Sequence, residues 1–197
     1  ISSVSNPTAF TGGSDSETDE QLRARLLRSF AAISNGTNAA FYYDFAMSYD
    51  GVASANVVPR LNGKGTVGVY VAGVGTAVPD TLVQEIHKDL CAAKEINVDV
   101  TIASTRLKPI NVNLEIAGQG GVNYDNLQAA CEKKLADCFK RLAVGQNLLL
   151  SGIVESLYHT EGLYNYRLKA PSQDMQAASD ELFTLGAIEI SRMAVVI

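Results

Sequence analysis

Apolar residues recur every three to four positions in some stretches of the chain and alternate in others, the signatures of amphipathic helix and half-buried strand. Leu22, Leu26, Phe30 and Ile33 share one face of a helix predicted over 18–33. Ser14, Ser16 and Thr18 are candidate N-caps for it. Glu17, Asp19 and Glu20 place negative charge at its start, where the helix dipole favours it. Ser34-Asn35-Gly36 ends this helix, and a second, over 38–49, begins near Thr37. Asp50-Gly51 turns into a strand at 52–59. Residues 59–65, Pro-Arg-Leu-Asn-Gly-Lys-Gly, read as a hairpin loop leading to a strand that alternates at Val67, Val69 and Val71. Pro79 suits the first turn of the next helix, over 79–93, because its missing N–H costs nothing there. That helix directs Leu82, Val83, Ile86 and Leu90 inward, and a strand follows at 98–103.

The second half repeats the theme. A strand is predicted at 110–118, then a long helix over 123–142 with Leu127, Cys131, Leu135, Cys138 and Leu142 on one face. A short helix over 150–159 has Ser151 as its expected N-cap. Glu161-Gly162 turns into a strand ending near Pro171. Residues 172–182 read as a polar loop, and a last strand lies within 186–196. A weak internal repeat supports two similar halves: VYVAG at 69–73 resembles LEIAG at 114–118, and 45 residues separate Leu82 from Leu127 and Leu90 from Leu135. Two copies are too few for a solenoid. The expected fold is α+β, two small subdomains, each a mixed sheet with helices packed on one face. The expected division is a linker over 1–17, a first subdomain over 18–108 and a second over 109–197, with the boundary near Lys108-Pro109.

Composition narrows the function. Of 197 residues, 47% are hydrophobic and 19% charged, which fits a globular chain able to bury a core. The net charge of −5, from 21 acids against 16 bases, argues against nucleic-acid binding and against docking on an anionic membrane. No apolar run approaches the roughly 18 residues of a membrane span. The chain opens on Ile with no signal-peptide pattern, so it is expected to be a fragment or a processed piece. The three cysteines, Cys91, Cys131 and Cys138, are too few and odd in number for a disulfide framework, and Cys131 and Cys138, on one helical face with Leu127 and Leu135, are expected as buried thiols rather than a metal or redox site.

No catalytic constellation emerges. Gly73-Val74-Gly75 lies between a strand and a helix, but the third glycine of a dinucleotide fingerprint is Val78 here, and Glu95 and Asp99 are in the wrong context for a ribose acid. Gly63-Lys64-Gly65-Thr66 lies between two strands, so it is a hairpin and not a phosphate loop. His87 and His159 form no ligand pair, and Asp15, Glu17, Asp19 and Glu20 lack the spacing of a calcium loop. No serine occupies a nucleophile elbow. The expectation is therefore a non-enzyme with no cofactor and no metal.

Read in order, the motifs resemble a known family. GGSDSETDEQLRARLLRSF leads into Gly36-Thr37, Phe41-Tyr42, Gly51-Val52, Pro59-Arg60, Asn62-Gly63 and Gly65-Thr66-Val67, and later Gly145, Ser151, Gly162 and Pro171. This run is similar to the baseplate J-like proteins, which include the Mu-type baseplate wedge proteins of contractile-tailed phages and prophages. The resemblance implies that the chain is the C-terminal portion of a longer protein, a virion structural component of the tail baseplate, assembled in the bacterial host cytoplasm. It implies a wedge subunit that partners other baseplate proteins and the tail hub, forms a homodimer, and transmits the trigger for sheath contraction. Neither nucleic acid nor membrane is an expected partner. Candidate interface surfaces are the hairpin with Arg60, Asn62 and Lys64, the helix with Tyr42 and Tyr43, and the 172–182 loop. Two competing readings are a nucleotide-binding enzyme built on the Gly73–Gly75 turn and a secretion-system adaptor module.

Overall fold

The computed structural model describes residues 18–20, 22, 23, 26, 27 and 38–193. The chain divides into two compact units, Ile1–Ile33 and Ser34–Ile197. In the first, Asp19, Glu20, Leu22, Arg23, Leu26 and Leu27 are helical. The Leu22 amide donates to the Thr18 carbonyl at 2.9 Å, and Glu20 pairs with Arg23 at 2.5 Å. The 1–17 linker, the caps expected at Ser14 and Ser16, Phe30, Ile33 and the stop at 34–36 lie outside the described residues.

The second unit carries helices α1 (Ala39–Met47), α2 (Asp80–Ala93), α3 (Tyr124–Lys140) and α4 (Leu150–Tyr158). Its strands are β1 (Ser54–Pro59), β2 (Thr66–Ala72), β3 (Asp99–Ser104), β4 (Arg106–Gly118), β5 (Leu163–Ala170) and β6 (Glu181–Arg192). They form two three-stranded mixed sheets, ordered β1-β2-β3 and β5-β4-β6. In each, the central strand has one antiparallel and one parallel neighbour: β1 and β3 flank β2, and β5 and β6 flank β4. The α+β fold with two subdomains is thus present, helices packed on one face of each sheet.

Local chemistry explains most element ends. Asn38 caps α1 by accepting from the Phe41 amide at 3.0 Å, and Asn123 caps α3 by accepting from the Asp125 and Asn126 amides. Pro79 is the N-cap of α2 rather than a residue of its first turn. The α4 start corrects the expectation of a Ser151 cap. Ser151 lies within the helix, and the oxygen that accepts from the Leu150 amide, at 2.8 Å, is Oδ1 of Asp174. The chain leaves the first sheet at Ser104 and joins the second at Arg106, so Lys108-Pro109 lies inside β4.

The first core sets Val69 and Val71 of β2 and Val100 and Ile102 of β3 against Tyr42 and Ala46 of α1 and Ile86 and Leu90 of α2. The second sets Ile110, Val112, Leu114 and Ile116 of β4 and Phe183 of β6 against Leu127, Cys131, Leu135 and Phe139 of α3 and Ile153 and Leu157 of α4. The every-second-residue rule holds along β4, where the even positions from 110 to 116 are buried. Its opposite face is polar: Glu115 pairs with Lys169 at 2.5 Å and Arg167 at 3.3 Å, and Asn113 donates to Glu189 at 2.8 Å. Burial pushes the Cys131 thiol up to about 11, which suits an inert core sulfur. Cys138 is also buried, and Cys91 is exposed on α2. No helix among the described residues is long and apolar enough to cross a membrane.

Candidate functional site

The sequence-predicted surfaces differ sharply in where they fall. Arg60, Asn62 and Lys64 stand exposed on the turn between β1 and β2. Tyr43 is half-buried against the first core. Tyr42 requires correction as a surface residue. It is 1% exposed, and its hydroxyl finds no hydrogen-bond partner among the described residues. Burial, with Glu95 adding a smaller repulsion, raises its pKa above the ordinary phenol value. The reason is that α1, AAFYYDFAM, is apolar nearly all round, so periodicity does not say which face turns inward. Phe41, Phe45 and Tyr49 stack along another side of the helix at ring separations of 5.9 and 5.8 Å.

The 172–182 loop is strapped to its neighbours while Ser172, Gln173, Asp174, Gln176, Ala178 and Ser179 stay exposed. Met175 exchanges two backbone hydrogen bonds with Leu148, Asp174 caps α4, and the Ala177 amide donates to Asn147 Oδ1 at 3.0 Å. Its end reaches the other subdomain. There the Asn56 amide of β1 donates to the Ser179 carbonyl at 2.7 Å, and the Thr105 hydroxyl donates to the Asp180 carbonyl at 2.7 Å.

These contacts belong to a junction that braces one subdomain against the other. Thr105, 5% exposed, donates its amide to Val71 of β2 at 3.0 Å, while the next amide, of Arg106, donates to the Asp180 carbonyl at 2.8 Å. The Arg106 guanidinium grips the Asp180 carboxylate with two bonds, 2.6 and 3.1 Å, and lies 3.5 Å from Glu181. The Val144 amide donates to Ser54 Oγ of β1 at 3.0 Å, and the Gly145 amide donates to the Glu181 carbonyl at 2.7 Å. Beneath them Ala72, Val144 and Leu182 form a small buried cluster flanked by Tyr70 and Leu142. Leu182 and Phe183 are each 1% exposed although adjacent, because successive side chains face opposite sides and both sides are covered: Leu182 the junction, Phe183 the second core.

The electrostatics follow from the geometry. The hydrogen bond from Arg106 holds the Asp180 carboxyl below its ordinary range, and the same pair raises the Arg106 guanidinium. The Ala178 amide, then Lys108 and Arg106, lower Glu181. A carboxylate whose pKa is lowered by folding stabilises the fold at pH values above its unfolded pKa, about 4. That contribution is lost as pH falls through the lower folded value. Thermal stability should therefore stay level from pH 7 to about 5 and decline below about 4. Asp180→Asn should flatten part of the decline, as melting curves across pH would report.

The Gly73–Gly75 turn does not present an open anion cradle. The Gly73 amide donates to the Thr76 carbonyl at 2.9 Å, the Val78 amide donates to Ser104 Oγ at 2.9 Å, and Pro79 has no N–H to offer. The residue at the end of β3, where a dinucleotide site would want an acid, is that same Ser104. Cys91 Sγ lies 3.6 Å from His87 Nε2, one helical turn away, and that nitrogen is also 3.2 Å from the Val100 carbonyl. No cluster of three or more potential metal ligands occurs among the described residues.

What the described residues bring together is a packed junction between two subdomains. Two consecutive domains of one family match the chain: residues 34–118 match the Baseplate J-like central domain, and residues 110–191 match the Baseplate J-like protein C-terminal domain. The chain belongs to the baseplate J-like protein family. It is 23% identical over 190 residues to the phage-like element PBSX protein XkdT of Bacillus subtilis, covering 90% of this chain and 55% of that protein. It is 25% identical over 202 residues to the baseplate protein gp47 of Escherichia phage Mu, covering 96% of this chain and 55% of that protein. The chain thus spans about half the length of these relatives. Among solved structures, a chain of the anti-feeding prophage baseplate, determined by cryo-electron microscopy, shares the fold. The TM-score is 0.58 at 13% identity, over 91% of this chain and 43% of that one.

The junction is not legible in the sequence. Thr105 and Arg106 lie 75 and 74 residues from Asp180, and no local pattern marks partners so far apart. The one legible signal was Gly145 in the family-like run. Its φ of +74° and the 2.6 Å between a Cβ placed there and Asn56 Nδ2 show that only glycine fits.

Proposed function

We propose that this protein is a structural component of a phage-type contractile tail baseplate, working without catalysis or a cofactor. The observation that carries the reading is the match of both family domains, in order, across 34–191. We extend it to a wedge subunit that contacts other baseplate proteins and the tail hub, pairs with a second copy, and passes on the trigger for sheath contraction. The division into a leading segment, 1–17, and two subdomains meeting near 104–109 is part of the proposal. The finished part would lie in the virion tail, having been assembled in the bacterial host cytoplasm.

The junction supports a mechanical role. Force applied to one subdomain passes to the other through direct hydrogen bonds, a two-bonded Arg106–Asp180 pair and a buried apolar cluster. A flexible linker would absorb such a displacement, whereas a close-packed contact transmits it. The test is to delete the gene in a host that produces sheathed particles and to restore it in trans. Complete sheathed tails should vanish on deletion and return on complementation, with the protein found by mass spectrometry in purified particles. Normal tails from the deletion strain would overturn the proposal.

A further inference from the structure

We propose that the 60–65 turn is a preorganised cationic tip that docks Arg60 and Lys64 onto carboxylates of a neighbouring protein subunit in the particle. The inference rests on the baseplate reading above and names the chemistry of one contact within it.

The first observation is a conformational cost kept in place. Arg60 is the single non-glycine residue at positive φ, +61°, among the described residues. Glycine or asparagine fills that region more cheaply, since a Cβ crowds the backbone there. The loop uses glycine where it can: Gly63 at +108° and Gly65 at +79° flank Lys64. An arginine at a left-handed position carries a backbone cost that glycine would not, so its side chain is the part of the turn we assign to docking.

The second observation is rigidity. The Arg60 amide donates to the Thr66 carbonyl at 2.7 Å, and the Gly63 amide donates to the Arg60 carbonyl at 3.1 Å. Thr66 Oγ1 accepts from the Asn62 amide at 2.9 Å and donates to the Gly63 carbonyl at 2.8 Å. Leu61 folds back over β2, where a Cβ added at Gly68 would meet Leu61 Cδ2 at 2.7 Å. A tip held this firmly loses little conformational freedom on docking.

The third is charge left unspent. Arg106 and Arg167 are paired with acids, and Arg192 lies over the Tyr124 ring at 4.4 Å. Arg60 and Lys64 are exposed and enter no ion pair among the described residues; Lys88, Lys133, Lys134, Lys140 and Arg141 share that state but lie on or at the end of helices, whereas Arg60 and Lys64 sit together on one rigid turn. A guanidinium fork matches a carboxylate through two parallel hydrogen bonds. Two cations on a chain of net charge −5 are too few for a nucleic-acid face, which leaves an acidic protein surface as the fitting partner.

The test separates fold from docking in the full-length protein. Arg60→Asn relieves the strain, so it should raise the melting temperature by about 2–4 °C. The same variant should be incorporated into sheathed particles about tenfold less well than wild type. Lys64→Gln should reduce incorporation without raising the melting temperature. A photo-crosslinking p-benzoylphenylalanine placed at Asn62 should, within particles, attach to a carboxylate-rich peptide of another protein chain. Wild-type incorporation of Arg60→Asn would overturn the proposal. So would a crosslink to nucleic acid or lipid, or no crosslink from protein that is present in particles. In those cases the baseplate reading stands; if the wild-type protein is absent from particles altogether, both fall.

Discussion

Leu135→Ala is expected to destabilise the second subdomain by about 3–4 kcal/mol, among the largest single effects available in the molecule. Leu135 is fully buried at the middle of α3, in one cluster with Leu114 and Ile116 of β4, Phe183 of β6 and Leu157 of α4. Truncation removes buried methyl groups and leaves a cavity that helix and sheet, both held by neighbouring contacts, collapse into only partly. For a unit of this size the melting temperature should fall by about 10 °C. Lys133→Ala, two residues away and exposed, should change it little. A loss below about 1 kcal/mol for Leu135→Ala would contradict the packing described.

The second large effect is expected at the junction. Gly145→Val combines a strained backbone, at φ +74°, with a collision. A Cβ would lie 2.6 Å from Asn56 Nδ2 and 3.5 Å from the Ser179 backbone. Asn56 cannot yield without giving up its bond to the Ser179 carbonyl, one of the braces between subdomains. The cost should be about 2–3 kcal/mol. Its signature is cooperativity: wild type should unfold in one calorimetric transition, and the variant should broaden or split it as the halves uncouple. Gly120→Val is the control, because Gly120 has open space around it and no left-handed φ. A variant that melts as one sharp transition at the wild-type temperature would show that the junction carries no load.

How far the sequence could be read depended on where each signal resides. Helices α2 and α3 were legible because each buries one stripe of an otherwise polar surface: Ile86 and Leu90 in one, Leu127, Cys131, Leu135 and Cys138 in the other. The hairpin was legible because Asn62-Gly63 and Gly65 mark a turn between alternating strands. The parallel partnerships of β2 with β3 and β4 with β6 were not legible, since pairing is a tertiary choice that strand patterns do not encode. The start of β6 reads as loop in the sequence because Leu182 and Phe183 are buried on opposite faces, which erases the alternation, and because a glycine, Gly186, falls inside the strand. Gly186 sits where β4 slips register between Ile110 and Val112, with a Cβ there 2.4 Å from Asn111 Oδ1. The partner of the α4 start is not legible locally because the oxygen that accepts from the Leu150 amide belongs to Asp174, 24 residues downstream. The candidate surfaces divide in the same way. Arg60, Asn62 and Lys64 sit on a turn whose exposure local chemistry dictates. Tyr42 sits on a helix whose inward face only the sheet decides.

The measurement that tests the central claim most directly is placement of the protein in the particle. The full-length protein would be tagged, the host induced, sheathed particles purified and the label located by immunogold electron microscopy. The account predicts gold confined to the tail end beside the spike. Particles without label, with the tagged protein left in the soluble fraction, would contradict it.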